Sequence, residues 1–163
     1  MCSLILRSAK PEDLPVLARL FRNTVRQINR RDYSARQISA WSGRWRSLLE
    51  RRDFFDELHT LVAVQDGAVV GYGNITAGGY LDHLYVHKDL QGQGVATALC
   101  DALETYALAQ GAQILEVHAS ITARPFFEHR GYRVMEEQTV QVDGVEMNNF
   151  RMQKVSDSKM PGA

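Results

Sequence analysis

Cysteine is scarce in this sequence: Cys2 and Cys100 are the two it has. Two cysteines so far apart make neither a disulfide framework nor a CxxC metal pair. Long apolar runs are missing as well, and nothing approaches the roughly 18–20 consecutive apolar residues that span a bilayer. The N-terminus, Met1 to Arg7, lacks the basic-then-apolar plan of a signal peptide. Net charge is also lacking, because 19 basic residues balance 19 acidic ones. Nothing global therefore favours nucleic acid or a membrane surface as a partner. Internal repeats and low-complexity tracts are absent. The remainder is 163 residues, 45% apolar and 23% charged, the make-up of a soluble globular protein. That length suits one domain with a real core, expected over residues 1–155 and followed by a disordered polar tail, 156–163. These exclusions leave a cytoplasmic enzyme, monomeric or homodimeric, as the expected class.

The charge that is present is unevenly placed. Nine arginines fall between Arg22 and Arg52, against Asp32 and Glu50 alone, which leaves this stretch with seven net positive charges. Arg22, Arg26 and Arg30 recur every four residues, the spacing of one helix face. Such a face can simply be solvated, or it can form a basic wall for an acidic acceptor or a phosphate group.

Hydrophobic periodicity divides the chain into alternating strands and helices. Leu4–Arg7 reads as a strand, and Pro11-Glu12-Asp13 opens a helix whose apolar face is Leu14, Leu17, Leu20 and Phe21. Ser34 suits the N-cap of a second helix through Trp41, and Arg44–Arg52 reads as a further helical piece. Leu61–Gln65 and Ala68–Ile75 form a hairpin around Asp66-Gly67, and a third strand follows at Tyr80–Val86. Val95–Ala109 is a strong helix, Ile114–His118 a strand, and Thr122–Arg130 a short helix stopped by Gly131. Tyr132–Val142 and Val145–Val155 make a terminal hairpin around Asp143-Gly144. The predicted order is βαα-βββ-α-β-α-ββ, an α/β or α+β domain with a mixed sheet.

Chemistry concentrates between Leu81 and Ala96, where a strand feeds a loop bearing Gly92 and Gly94, and the loop feeds a helix. The first amides of a helix have no internal partners and carry partial positive charge. Glycines let several of those amides converge on one anion at close range. No lysine follows the glycines, which argues against an ATP-type loop. A dinucleotide site is the competitor, since Gly92-x-Gly94-x-x-Thr97 is part of that fingerprint and Glu116 lies about twenty residues on. Thr97 in place of a small third residue, and the five residues His87–Gln91 before the first glycine, speak against it.

Two spaced motifs carry a family resemblance. Gln91-x-x-Gly94-x-Ala96 resembles the pyrophosphate loop Gln/Arg-x-x-Gly-x-Gly/Ala of the GNAT acetyltransferases. Ser120-x-x-Ala123-x-x-Phe126-Phe127-x-x-x-Gly131-Tyr132 is similar to that family's later segment, Asn-x-x-Ala-x-x-Leu/Phe-Tyr-x-x-x-Gly-Phe. The element order agrees over residues 4–155. The resemblance implies a mostly antiparallel sheet flanked by helices, acetyl-CoA as cofactor, and an acetyl group passed to a small-molecule amine or a protein amino group in a ternary complex. It implies that Gln91, Gly92, Gln93, Gly94, Val95 and Ala96 bind the pyrophosphate through their amides. Leu84, Tyr85 and Val86 are implied partners of the pantetheine arm, with an amide near Leu84 or Tyr85 polarising the thioester carbonyl. Ser120 stands where the family often has a pantetheine-bonding Asn, and Phe126 and Phe127 are implied cofactor neighbours.

Phe127 also departs from the family, which often has a Tyr acid at that position. The departure keeps a non-catalytic coenzyme A sensor, or a degenerate member, as an alternative. Asp82, on the strand entering the loop, is the first candidate base, and alternation expects it to share a face with Tyr80 and Leu84 unless a bulge intervenes. Tyr85 and Tyr132 are the candidate acids. His118 ends a strand near the expected cofactor gap and is a candidate substrate contact, as are Tyr33 and Trp41 in the stretch expected to roof the acceptor. His83 and His87 lack a matched third ligand, so no metal is expected.

Overall fold

The computed structural model of the chain describes residues 3–155. Cys2 and the tail expected to be disordered lie outside the described residues. Within them, seven strands form one sheet: β1 (Leu4–Ser8), β2 (His59–Gln65), β3 (Ala68–Ile75), β4 (Tyr80–Val86), β5 (Ile114–Ser120), β6 (Arg133–Val142) and β7 (Val145–Val155). Their order across the sheet is β1-β2-β3-β4-β5-β7-β6. Every neighbouring pair is antiparallel except β4 and β5, which run parallel. The element order is the predicted one, supplemented by 3-10 turns and an extra helical turn.

Turn chemistry sets the two hairpins. Asp66 and Gly67 have φ of 53° and 79°, and Asp143 and Gly144 have 49° and 81°. Positive φ at both central residues matches the right-handed twist of the flanking strands. One face of the sheet carries α5 (Val95–Ala109), whose Leu99, Cys100, Leu103 and Ala107 are fully buried, together with α6 (Arg124–His129). The other face carries α1 (Leu14–Gln27), α2 (Ala35–Ser42), α3 (Trp45–Leu48) and α4 (Asp53–Asp56). Leu17, Phe21 and Val25 of α1 pack there against Val62 and Tyr72. Ser34 caps α2 as expected, its Oγ accepting from the Gln37 amide while the Gln37 side chain accepts from the Ser34 amide.

Two local expectations change. α1 stops at Gln27, and Asn29–Arg31 form a separate 3-10 turn, so Arg30 does not continue the Arg22–Arg26 row of the helix. The piece expected over Arg44–Arg52 is two single-turn helices, α3 and α4, with Arg51 and Arg52 between α3 and the start of α4. No helix among the described residues is long and apolar enough to cross a membrane.

The parallel β4–β5 pair positions the site. It is paired only at Tyr80 with Glu116 and Leu81 with Val117. Beyond those residues the strands part, and a V-shaped gap opens in the middle of the sheet. The long connection through α5 starts at the mouth of that gap.

Candidate active site

A cleft of about 530 Å³ occupies the gap, lined by β4, the β4–α5 loop, the start of α5, the end of β5, α6, and the turn between α1 and α2. Three features suit one half of it to an extended anionic ligand. The far edge of β4 is open, since β3 pairs with its other edge. The His87 amide donates to Val70 O on β3, so by alternation Leu84 and Val86 turn their amides towards the gap, whereas Tyr85 turns its amide to β3. The first intrahelical bond of α5 runs from Ala98 N to Gly94 O, which leaves the amides of Val95, Ala96 and Thr97 unused at the helix start.

The loop is braced from within. Gln91 Nε2 donates to Val86 O at 2.8 Å, and Gln93 Nε2 reaches Asp89 O at 3.4 Å. Gly92 and Gly94 adopt φ of 74° and 86°, and a Cβ on either would meet no protein atom within 4 Å. Space and left-handed backbone together leave room for a phosphate against the amides. Further along the cleft, Ser120 Oγ accepts from the Ala123 amide at 3.0 Å, and Phe126 and the buried Phe127 form an apolar wall.

The other half is polar and aromatic. β4 carries a bulge there: Asn74 pairs with His83 but Ile75 pairs with Leu81, so Asp82 is an additional residue in the ladder. The expected sharing of a face by Tyr80, Asp82 and Leu84 therefore fails, and Leu81 joins Leu84 on the α5 side. Asp82 lines the cleft and is held by Arg51, whose Nη2 lies 3.0 Å from Asp82 Oδ2. Arg51 is anchored in turn by both carboxylate oxygens of Asp53 at 2.8 Å, and its guanidinium lies over the Phe54 ring.

Behind Asp82 lies His83, enclosed by Phe21, Phe54, Tyr72 and Tyr85. Its Nδ1 is 2.9 Å from the hydroxyl of fully buried Tyr72, and its Nε2 is 3.9 Å from Asp82 Oδ2. Burial pushes the imidazole down to about 4, against a smaller upward pull from Asp82, so the ring is neutral near pH 7. Tyr85 lines the cleft edge-on to Phe21, and burial raises its phenol well above the ordinary value while Trp41 opposes the rise. It stays protonated and able to donate.

A family model describing the acetyltransferase (GNAT) domain matches residues 29–154. The chain belongs to the GNAT family. It is 31% identical over 156 residues to the uncharacterised N-acetyltransferase YafP of Escherichia coli K12, covering 93% of this chain and 96% of that protein. A solved GCN5-related N-acetyltransferase from Rhodopseudomonas palustris is 36% identical with a TM-score of 0.90, over 94% of this chain and 96% of that one. The PaiA N-acetyltransferase of Thermoplasma acidophilum, solved in complex with coenzyme A, shares the fold with a TM-score of 0.75 at 19% identity, over 94% and 99% of the two chains. The chain is thus an acyl-CoA-dependent acetyltransferase, and the mostly antiparallel sheet implied by its motifs is the one observed.

The acetyltransferase cleft gathers most of the residues singled out in the sequence. Asp82, Leu84, Tyr85, Val86, Gln91, Gly92, Gly94, Val95, Ala96, His118, Ser120, Phe126, Phe127 and Trp41 all line it, with Gln93 in the same loop. His118 stands at its β5 wall, edge-on to Tyr80 and 3.5 Å from Glu116 Oε2. His87 is not on β4 but just past it, where its Nδ1 accepts from the Asp89 amide. Among the described residues no His, Cys, Asp or Glu group could hold a metal ion.

Two residues fall outside. Tyr132 is 2% exposed, and its hydroxyl donates to Glu104 Oε2 at 2.8 Å, within a network that includes Arg130 and Lys154. It cannot reach the reacting atoms, so it is no candidate acid. Tyr132→Phe is expected to leave kcat and KM unchanged while lowering stability by about 1–2 kcal/mol, read by denaturant unfolding alongside steady-state rates. Tyr33 does not line this cleft either. Its hydroxyl donates to Asn148 O and accepts from the Ile121 amide, both at 2.8 Å, while its ring backs Trp41. It staples the roof.

Thr24, Ile28 and Asn29 escaped the residue-level reading, Arg31 and Arg51 entered it only as part of the basic segment, and His83 only as an unmatched metal ligand. The roofing stretch beginning at Asn29 was the one signal for some of them; nothing local links Arg51 with Asp82.

Proposed function

We propose that this GNAT transfers an acetyl group from acetyl-CoA to a primary amine by direct attack within a ternary complex. The observation that carries the reading is the parting of β4 from β5 beside the unused amides of α5, with Asp82 and Tyr85 facing the same gap. Bound acetyl-CoA supplies the thioester whose carbonyl carbon the amine attacks. The amides of residues 91–96 hold its pyrophosphate, and the open edge of β4 pairs with the pantetheine arm. The gap-facing amide of Leu84 donates to the thioester oxygen as negative charge develops there. Of the two amides that the resemblance offers, Leu84 and Tyr85, the Tyr85 one belongs to β3.

Asp82 receives the ammonium form of the acceptor and takes the proton, either directly or through one water. The C–N bond forms, the C–S bond breaks, and the Tyr85 hydroxyl donates to the leaving sulfur. The second proton shed by the nitrogen returns through water to the Tyr85 oxygen, so the products are the acetylated amine, coenzyme A thiol and the one proton held by Asp82. Tyr85 thereby fills the position that Phe127 leaves without a proton.

Calorimetric titration with acetyl-CoA, with NAD as the control, tests the cofactor, and turnover with an amine panel tests the reaction. Acetyl-CoA binding with no NAD binding, followed by acetylated product, is the expected result. Binding without turnover of any amine means a coenzyme A sensor, the reading that Phe127 favours. NAD binding alone overturns both.

A further inference from the structure

We infer that the acceptor is a small amine that also carries a carboxylate, and that Asn29 and Arg31 recognise that carboxylate. The inference rests on the acetyl-transfer reading and specifies its substrate. Asn29 begins the 3-10 turn after α1, is 7% exposed, and lines the cleft. Its carboxamide makes no hydrogen bond to any described residue. Of the other buried polar side chains nearby, Thr24 Oγ1 donates to Val86 O and the Tyr33 hydroxyl makes two bonds, whereas fully buried Asn74 Nδ2, on β3 and outside the cleft lining, has no partner among the described residues. The polar atoms of the Asn29 side chain open on the cleft without a partner among the described residues, so they are free to bond a ligand there.

Arg31, two residues on, lines the same cleft. Its pairing to Asp32 is loose, 3.5 Å through Nε, and Asp32 Oδ2 is already the acceptor for Thr122 Oγ1 at 2.8 Å. The terminal nitrogens of Arg31 thus remain available to an oxyanion. Arg31 is the arginine in the lining of this cleft, so the charge presented on this side is positive and draws in an anion. Asp82 inside the cleft has the opposite sign and suits the ammonium. One guanidinium and one neutral amide match the single charge of a carboxylate better than a phosphate dianion.

Size follows from the roof. The Asp32–Thr122 and Tyr33–Ile121 hydrogen bonds tie the α1–α2 turn to the β5–α6 loop across the gap. With the pantetheine arm in the same cleft of about 530 Å³, room is left for a small molecule.

The test is steady-state acetyl transfer at saturating acetyl-CoA to α-, β- and γ-amino acids, their amides, spermidine and phosphoethanolamine. At least one amino acid should exceed its own amide by about tenfold or more in kcat/KM. Arg31→Ala and Asn29→Ala should raise KM for that amino acid by about tenfold, with kcat, the amide's KM and acetyl-CoA affinity little changed. Asn29→Asp, nearly the same shape, guards against a folding defect in the alanine variant and should weaken the amino acid in the same way by charge repulsion. Amides or spermidine preferred over amino acids, or phosphoethanolamine preferred over all, overturns the inference while acetyl transfer stands. So does an amino-acid preference that survives both Arg31→Ala and Asn29→Asp. Acetyl transfer to none of these amines, in a chain that binds acetyl-CoA, overturns the inference too, and further silence across a wider amine panel overturns the transfer reading itself.

Discussion

Gly94→Val abolishes acetyl-CoA binding: titration that gives saturable heat with the parent chain gives none with the variant, a loss of at least about a hundredfold. Losing two charge-assisted amide–phosphate bonds, at about 1.5 kcal/mol or more apiece, is enough for that factor. The new side chain meets no protein atom, because the space beside Gly94 opens into the cleft. It would stand where the pyrophosphate must approach the amides of Val95 and Ala96. Backbone strain alone is a separate effect, since φ at Gly94 is 86° and valine tolerates it poorly. Gly111→Val supplies the control at the opposite end of α5: φ is 100°, the surroundings are equally open, and the position is far from the cleft. It should lower the melting temperature in a similar way yet keep acetyl-CoA affinity. Unchanged affinity in Gly94→Val would sink the assignment of the loop.

Asp82→Asn is expected to lower kcat by about 10²- to 10⁴-fold, the usual contribution of a positioned acid or base, with acetyl-CoA affinity unchanged. The fold should survive. Arg51 keeps its two bonds to Asp53, and Arg51 beside Asp53 already holds that carboxylate below its ordinary value. Asp82 itself is half-exposed at the cleft wall and supports no buried network of its own. Rates and calorimetry on the same preparation separate the outcomes. A proportional loss of turnover and cofactor binding means that Asp82 shapes the cofactor half of the cleft; no loss of either means that Tyr85, or water alone, handles the protons. The neutral His83 ring behind it does not line the cleft, and its Nδ1 is engaged by the Tyr72 hydroxyl.

Much of this molecule is legible in the order of its residues, because the signals involved are local. Period-two and helical spacing locate the strands and helices, and positive-φ turn residues locate the hairpins, within a residue or two. The β4–α5 loop is equally local: a helix start with two glycines makes an anion site wherever the chain puts it. Paired with the Ser120–Tyr132 segment, it marked the family before any contact was known.

What the tertiary structure decided are matters of pairing across distance. The bulge that turns Asp82 away from Leu84 exists only because β3 and β4 pair in a shifted register. Arg51 reaches Asp82 across 31 residues because α4 packs on β2, and no periodicity encodes that. Tyr132 looked like an acid until Glu104, itself paired with Arg130 and Lys154, took its hydroxyl. Asn29 is an ordinary polar residue by type, and only its burial against the cleft leaves its amide without a partner. A sequence fixes what each side chain can do within its own turn or strand; which groups share a cleft is determined by the packing of elements that are remote along the chain.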